Sequence, residues 1–156
     1  MATSPRTIML YVPTQDERTN ALLVHILAIF SGFIAPLIFY LVKKDSRFVM
    51  FHALQVLIWH AAYLAIVIVG AICMFVSMAF SMAGQTPGGQ HQGPPLAFFG
   101  FMGVFWLLAV GGGVLNLVFG IVFAIKASHG EWARYPIIGD FVLRKILPDQ
   151  PVSAAS

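Results

Sequence analysis

Acidic residues are scarce in this sequence. Asp and Glu number six, Lys and Arg nine, in 156 residues. Charged residues make up 10%, against about 25% in soluble domains. All six acids fall in short polar segments, so no two carboxylates share an apolar stretch where acid–base work could be done. A phosphate-binding Walker A loop, an HExxH helix and a GxSxG elbow are all missing, and an enzyme is not expected. The single cysteine, Cys73, excludes an internal disulfide and gives no thiolate metal site. It reads as a small buried hydrophobe. The first residues lack a basic stretch followed by an apolar one, so no cleavable signal peptide is expected. The net charge of +3 comes from short basic clusters beside apolar runs, which speaks for topology rather than for a nucleic-acid partner.

What is present is apolar. Hydrophobic residues make up 59% and the mean hydropathy is +0.85. A chain of this size cannot hide that much apolar surface in a water-soluble ball. The class is an all-α integral membrane protein, with one membrane domain over 21–147, a polar segment 1–20 and a flexible tail 148–156. Three long transmembrane helices are expected, at about 21–42, 57–80 and 96–125, with a short interfacial helix at 137–147.

The first run carries no charge, and Thr19 or Asn20 can cap it. Ser31-Gly32 and Pro36 predict a kink in one span, or a re-entrant hairpin whose halves are each too short to cross. The second run, Phe48–Ala83, would be roughly 54 Å of helix against a core of about 30 Å. Its first turns are therefore placed in the headgroup region or against partner helices, with Ser46 as N-cap. The stretch GQTPGGQHQGPP, residues 84–95, has no Lys, Arg, Asp or Glu and reads as a surface loop. The third run has a break point at Gly111–Gly113. In the closing segment Asp140 and Arg144 are spaced to pair, and Trp132 and Tyr135 fit an aromatic belt.

With three spans, seven basic residues fall on one side: Lys43, Lys44, Arg47, Lys126, Arg134, Arg144 and Lys145. Arg6 and Arg18 fall on the other. Those seven mark the cytoplasmic side and can contact headgroups. The expected setting is the bacterial inner membrane, with the N-terminus outside and the C-terminus in the cytoplasm. An even number of spans would bring the C-terminus back to the N-terminal side, and requires a long run to be split.

Several polar residues lie inside the apolar runs. His52, Trp59 and Tyr63 fall within about 40° on one helical face. Gln55 is adjacent and His60 is at the stripe's edge. An unpaired buried polar group costs about 2–7 kcal/mol, so this face is expected to meet helices or a partner rather than lipid. In one reading His52 and Gln55 hydrogen-bond to neighbouring helices or backbone, with His25 as a further partner. In the other, His25 or His60 ligates a haem iron or a chlorophyll magnesium. No cofactor is required by the sequence. A proton relay is disfavoured, because the three spans contain no Asp, Glu, Lys or Arg. Gly112, Asn116 and Gly120 form a second stripe. It suits close helix packing or, at Asn116, a ligand or pore contact.

Three pieces carry a resemblance: DERTNALLVHILAIFSGFIAPLIFYLVKKD, RFVMFHALQVLIWH and IKASHGEWARYPIIG. In order and spacing, over about residues 16–140, they resemble a bacterial family of small helical membrane proteins of unknown function. That family is distantly similar to the twenty-kilodalton channel-like component of the chloroplast inner-envelope protein translocon. The matching positions are His52-Ala53-Leu54-Gln55, then Lys126, Gly130-Glu131 and Arg134-Tyr135-Pro136. The resemblance implies an all-α membrane fold and no established activity. Its translocon link implies a part in protein traffic, although no hydrophilic pore lining can be read here. Loop 84–95 is the piece expected to match least. His52 and Gln55 are expected to tie the first loop and the closing Arg-Tyr-Pro segment together.

The expected role is a non-enzymatic accessory or structural subunit of a larger membrane complex, in contact with the bilayer. A tetrapyrrole-binding subunit of an electron-transfer or light-harvesting complex is one alternative. A channel-like or protein-translocation component is the other.

Overall fold

A computed structural model describes residues 11–83 and 96–147. Among them every regular element is a helix: α1 (Gln15–Ser31), α2 (Ile34–Val42), α3 (Arg47–Ala83), α4 (Leu96–Ser128) and α5 (Gly139–Ile146). The chain divides into two compact units. Unit 1 holds the residues up to His60 and those from Leu117 onward, and unit 2 holds Ala61–Asn116. The expectations for the first ten residues, for loop 84–95 and for the tail lie outside the described residues.

The first expected span is not one helix. Thr14, rather than Thr19 or Asn20, caps α1. Its hydroxyl accepts from the Glu17 N–H at 3.3 Å, and the Glu17 carboxylate accepts from the Thr14 N–H at 2.8 Å. This reciprocal pair is the T-x-x-E capping box. Thr19 and Asn20 instead donate back to the carbonyls of Gln15 and Asp16. At the other end Gly32 takes φ +61°, a left-handed value that only glycine adopts freely. Ser31 donates to Leu27 C=O at 2.8 Å and accepts from Ala35 N–H at 3.2 Å, so α2 starts at once. Pro36 sits in its first turn, where a missing N–H removes no helix bond.

The two helices contact one another. At about 26 Å and 14 Å, neither matches a core of about 30 Å. Ala21, near the start of α1, packs with Phe48, six residues beyond α2. The pair is therefore a hairpin that returns to its starting end. The closing segment meets the same end, where Trp132 Nε1–H donates to the Tyr11 carbonyl at 3.4 Å.

Two helices, α3 and α4, are long and apolar enough to cross a membrane. Ser46 caps α3, accepting from Val49 N–H at 3.2 Å. The first turns of α3, Phe48 to Val56 apart from Met50, are buried among the protein's own elements rather than left for a partner. Helix α4 runs unbroken through Gly111–Gly113, where a break was expected. Where no water competes for the backbone, intrahelical bonds hold even a glycine run in place.

The core of unit 1 joins Val24 and Ala28 of α1, Val49, Ala53 and Val56 of α3, Phe123 of α4, and Tyr135. A second cluster packs Val142 and Leu143 of α5 on Phe51 and Leu54 of α3. Helix α5 is thus packed on the start of α3, with Phe141 left exposed. Leu147, just past its end, lines a cleft with Tyr11, Asp45, Arg47 and Trp132. Asp140 pairs with Arg134 at 2.7 Å rather than with Arg144. Tyr135 is buried, and Trp132, partly exposed, packs on Phe48 and Phe51.

In unit 2 most side chains are exposed, Cys73 among them, contrary to its expected burial. Tyr63 lies over Gly112, where a Cβ would collide with its ring, and donates to Ala109 C=O at 2.7 Å.

Candidate functional site

Helix α4 ends at Ser128, and Gly130, two residues on, takes φ +82°. Residues 131–135 are not helical and run along the buried start of α3. In extended backbone the C=O of one residue and the N–H of the next but one point the same way, towards a neighbouring strand. No strand exists among the described residues. The Gln55 side chain takes that place. Its Nε2–H donates to Ala133 C=O at 3.2 Å, and its Oε1 accepts from Tyr135 N–H at 2.7 Å. One carboxamide supplies both halves of a strand edge.

His52 Nε2 lies 3.2 Å from the Glu131 carbonyl. A carbonyl can only accept, so Nε2 carries the proton, and in the neutral ring Nδ1 is an acceptor. That nitrogen is 3.0 Å from His25 Nε2, which must therefore donate. His25 Nδ1 is then the acceptor, and the Tyr135 hydroxyl, 3.2 Å away, donates to it. The result is a one-way chain from the Tyr135 O–H through His25 and His52 to the Glu131 carbonyl. His25, His52 and Gln55 are each 0% exposed. Among the described residues no buried side-chain nitrogen or oxygen lacks a partner. Phe48 and Phe51 pack edge-on to the His52 ring, and Phe123 stacks on His25. Burial pushes the Tyr135 phenol well above its usual range, which keeps it a donor.

The expected stripe is shared between the two units. His52 and Gln55 hold the closing segment, Trp59 packs on Phe119 and Tyr135, and Tyr63 covers Gly112. His60 stays out of the chain. Its Nδ1–H donates to Val56 C=O at 2.9 Å, leaving Nε2 as its second nitrogen. Both nitrogens of His25 and of His52 are engaged, so neither ring has one free for an iron or magnesium. Gly120 meets the protein's own α1, with an added Cβ falling 2.7 Å from Ile29. Asn116 is half-buried. In unit 2 a cleft between α3 and α4, lined by Ile66, Gly70, Phe101 and Phe105 among others, is apolar. Lys43, Lys44, Arg47, Lys126, Arg144 and Lys145 are exposed, whereas Arg134 is tied to Asp140.

What the residue pattern did not reveal is the role of Tyr135 and of the 131–135 backbone. The available signal was Gly130 followed by a proline at 136, which brackets a short non-helical stretch after an apolar helix. Chemically the arrangement binds a chain segment. Among the described residues no group of three His, Cys, Asp or Glu side chains could hold a metal ion.

Two apolar helices and an internally satisfied polar core define a small, all-α membrane protein. The chain belongs to the magnetosome magnetite crystal formation protein family, whose sequence model matches residues 16–142. No curated protein and no solved structure matches it. The family is one of small bacterial membrane proteins, as the resemblance implied. The likeness to the chloroplast translocon component has no counterpart in this match.

Proposed function

We propose that the protein is a non-enzymatic subunit of the magnetosome membrane, acting in magnetite crystal formation through a larger membrane assembly. The family's description supports the setting. The observation that carries the arrangement is the Trp132 bond to the Tyr11 carbonyl. It brings the start of α1 to the end where α4 stops and α3 begins. Two spans, α3 and α4, then replace the three of the sequence reading, and the α1–α2 hairpin enters and leaves by one face. Tyr11 and Leu147 line one cleft at that face, so the start of α1 and the end of α5 are placed on the same side.

Every Lys, Arg, Asp and Glu among the described residues belongs to unit 1, and residues 61–116 contain none. The positive-inside rule then puts the charged end in the cytoplasm and loop 84–95 on the enclosed side. A loop without carboxylates offers mineral ions no acidic ligands. The effect on crystals therefore runs through the membrane and through partner proteins.

Two experiments test this. Deletion in the host, followed by electron microscopy, is expected to change the size or shape of the magnetite crystals. Unaltered crystals would sink the functional reading. For the topology, Gln15→Cys, Gln90→Cys and Lys145→Cys are each placed in a Cys73→Ser background and labelled with an impermeant maleimide. Positions 15 and 145 should label from one side and position 90 from the other. Labelling of 15 and 145 from opposite sides would restore three spans.

A further inference from the structure

The closing segment repeats the course of the α1–α2 hairpin. It leaves the charged end at Gly130 and descends along α3, with Glu131 at His52, then Ala133 and Tyr135 at Gln55. It turns at Pro136–Ile138 and comes back as α5, whose end reaches the cleft beside Arg47 and Asp45. The turn is tight. Ile138 N–H bonds Pro136 C=O at 2.8 Å, with Ile137 between them at φ +72°. A β-branched residue at positive φ is strained. Yet Ile137 is 96% exposed, so no internal packing holds it there. At the tip of the other hairpin Phe30 is 84% exposed.

Two apolar tips thus project from unit 1, and the charges gather at the opposite ends of the same hairpins. Only the Arg134–Asp140 pair stands near a tip, and it is mutually neutralised. Non-helical backbone is tolerated at membrane depth only where protein groups satisfy it. His52 and Gln55 do this for residues 131–135. In water the segment would not need them.

We propose that unit 1 is a one-leaflet wedge: the turns at Gly32–Phe33 and Pro136–Ile138 seat in the acyl chains of the leaflet on the charged side. Segments that enter and leave one leaflet add cross-section to that leaflet alone. The protein therefore favours strongly curved membrane, convex on the charged face. The inference rests on the two-span reading above.

The test uses the full chain, in the Cys73→Ser background, reconstituted in phosphatidylcholine–phosphatidylglycerol vesicles. Spin labels at Phe30→Cys, Ile137→Cys and Arg144→Cys report collision with oxygen, which concentrates in the acyl region, and with a water-soluble nickel chelate. Positions 30 and 137 should favour oxygen, and position 144 the chelate. Protein density per membrane area is then compared between small and large vesicles, with a several-fold excess expected in the small ones. Ile137→Gly relaxes the turn, so it keeps the fold, and should reduce that excess. Chelate exposure at 137 overturns the proposal, as does a density independent of vesicle size. Maleimide labelling of positions 15 and 145 from opposite faces of the same vesicles marks failure of the two-span reading instead.

Discussion

The two units solve the same solvent problem in different ways. The described residues of unit 2 are helical and satisfy their backbone within each helix, so their side chains can face lipid freely. Gly100, Gly103, Gly111 and Gly113 there have nothing within reach of an added Cβ. Unit 1 contains a non-helical stretch, and it brings in His52 and Gln55 to pair backbone groups that a helix would have paired for itself, with His25 orienting His52. The contrast teaches that intramembrane polar residues need not mark a cofactor or a pathway. Here they stand in for missing secondary structure.

The comparison breaks most severely at Gln55. Gln55→Leu leaves Ala133 C=O and Tyr135 N–H buried without partners, at about 1–3 kcal/mol each. A loss of roughly 2–6 kcal/mol is expected in detergent unfolding followed by near-UV circular dichroism. No measurable loss would mean that the closing segment finds other partners. The glycines sharpen the contrast by sign. Gly120→Ala pushes into Ile29 and is expected to destabilise by about 1–3 kcal/mol. Gly111→Ala meets open space and should stabilise its helix by up to about 1 kcal/mol. Thermal midpoints of the two variants that move in the same direction would refute the assignment of the faces.

Tyr135 gives the pH dependence. Its folded phenol is raised, so its contribution is whole below the unfolded value near 10. It is lost as pH rises past that value, because only the unfolded chain ionises easily. Tyr135→Phe should remove this alkaline step from a stability–pH profile. The smallest effect belongs to Tyr63→Phe in unit 2, which forfeits one hydrogen bond worth about 0.5–1.5 kcal/mol. A larger loss there than at Gln55 would reverse the ranking of the units.

Much of this site could be read from residue types and spacing. His52 and Gln55, three apart in an apolar run, had to turn inward, and the closing Arg-Tyr-Pro segment was the expected partner. Trp59 and Tyr63 share that helical face, yet they go to different tasks. A face gives direction around a helix but not what lies opposite each turn. The Thr14–Glu17 capping box was also in plain view, masked by the apolar run that starts seven residues later.

By itself the sequence determined that the chain is apolar and helical and that the runs of α3 and α4 are long enough to cross a membrane, because apolar content and run length decide these without reference to neighbours; it counted the first run as a third span. It also determined the Ser46 cap and the inward turn of His52 and Gln55, which depend on contacts within one turn of helix. Only the tertiary structure decided that the first run folds back at Gly32. A kinked span and a hairpin have the same local sequence and differ only in what the second half packs against. The tertiary structure likewise decided that Gln55 replaces a strand edge, that Arg134 rather than Arg144 holds Asp140, and that Trp132 meets Tyr11. Each of these joins residues far apart along the chain, where spacing carries no information and the geometry of packing decides.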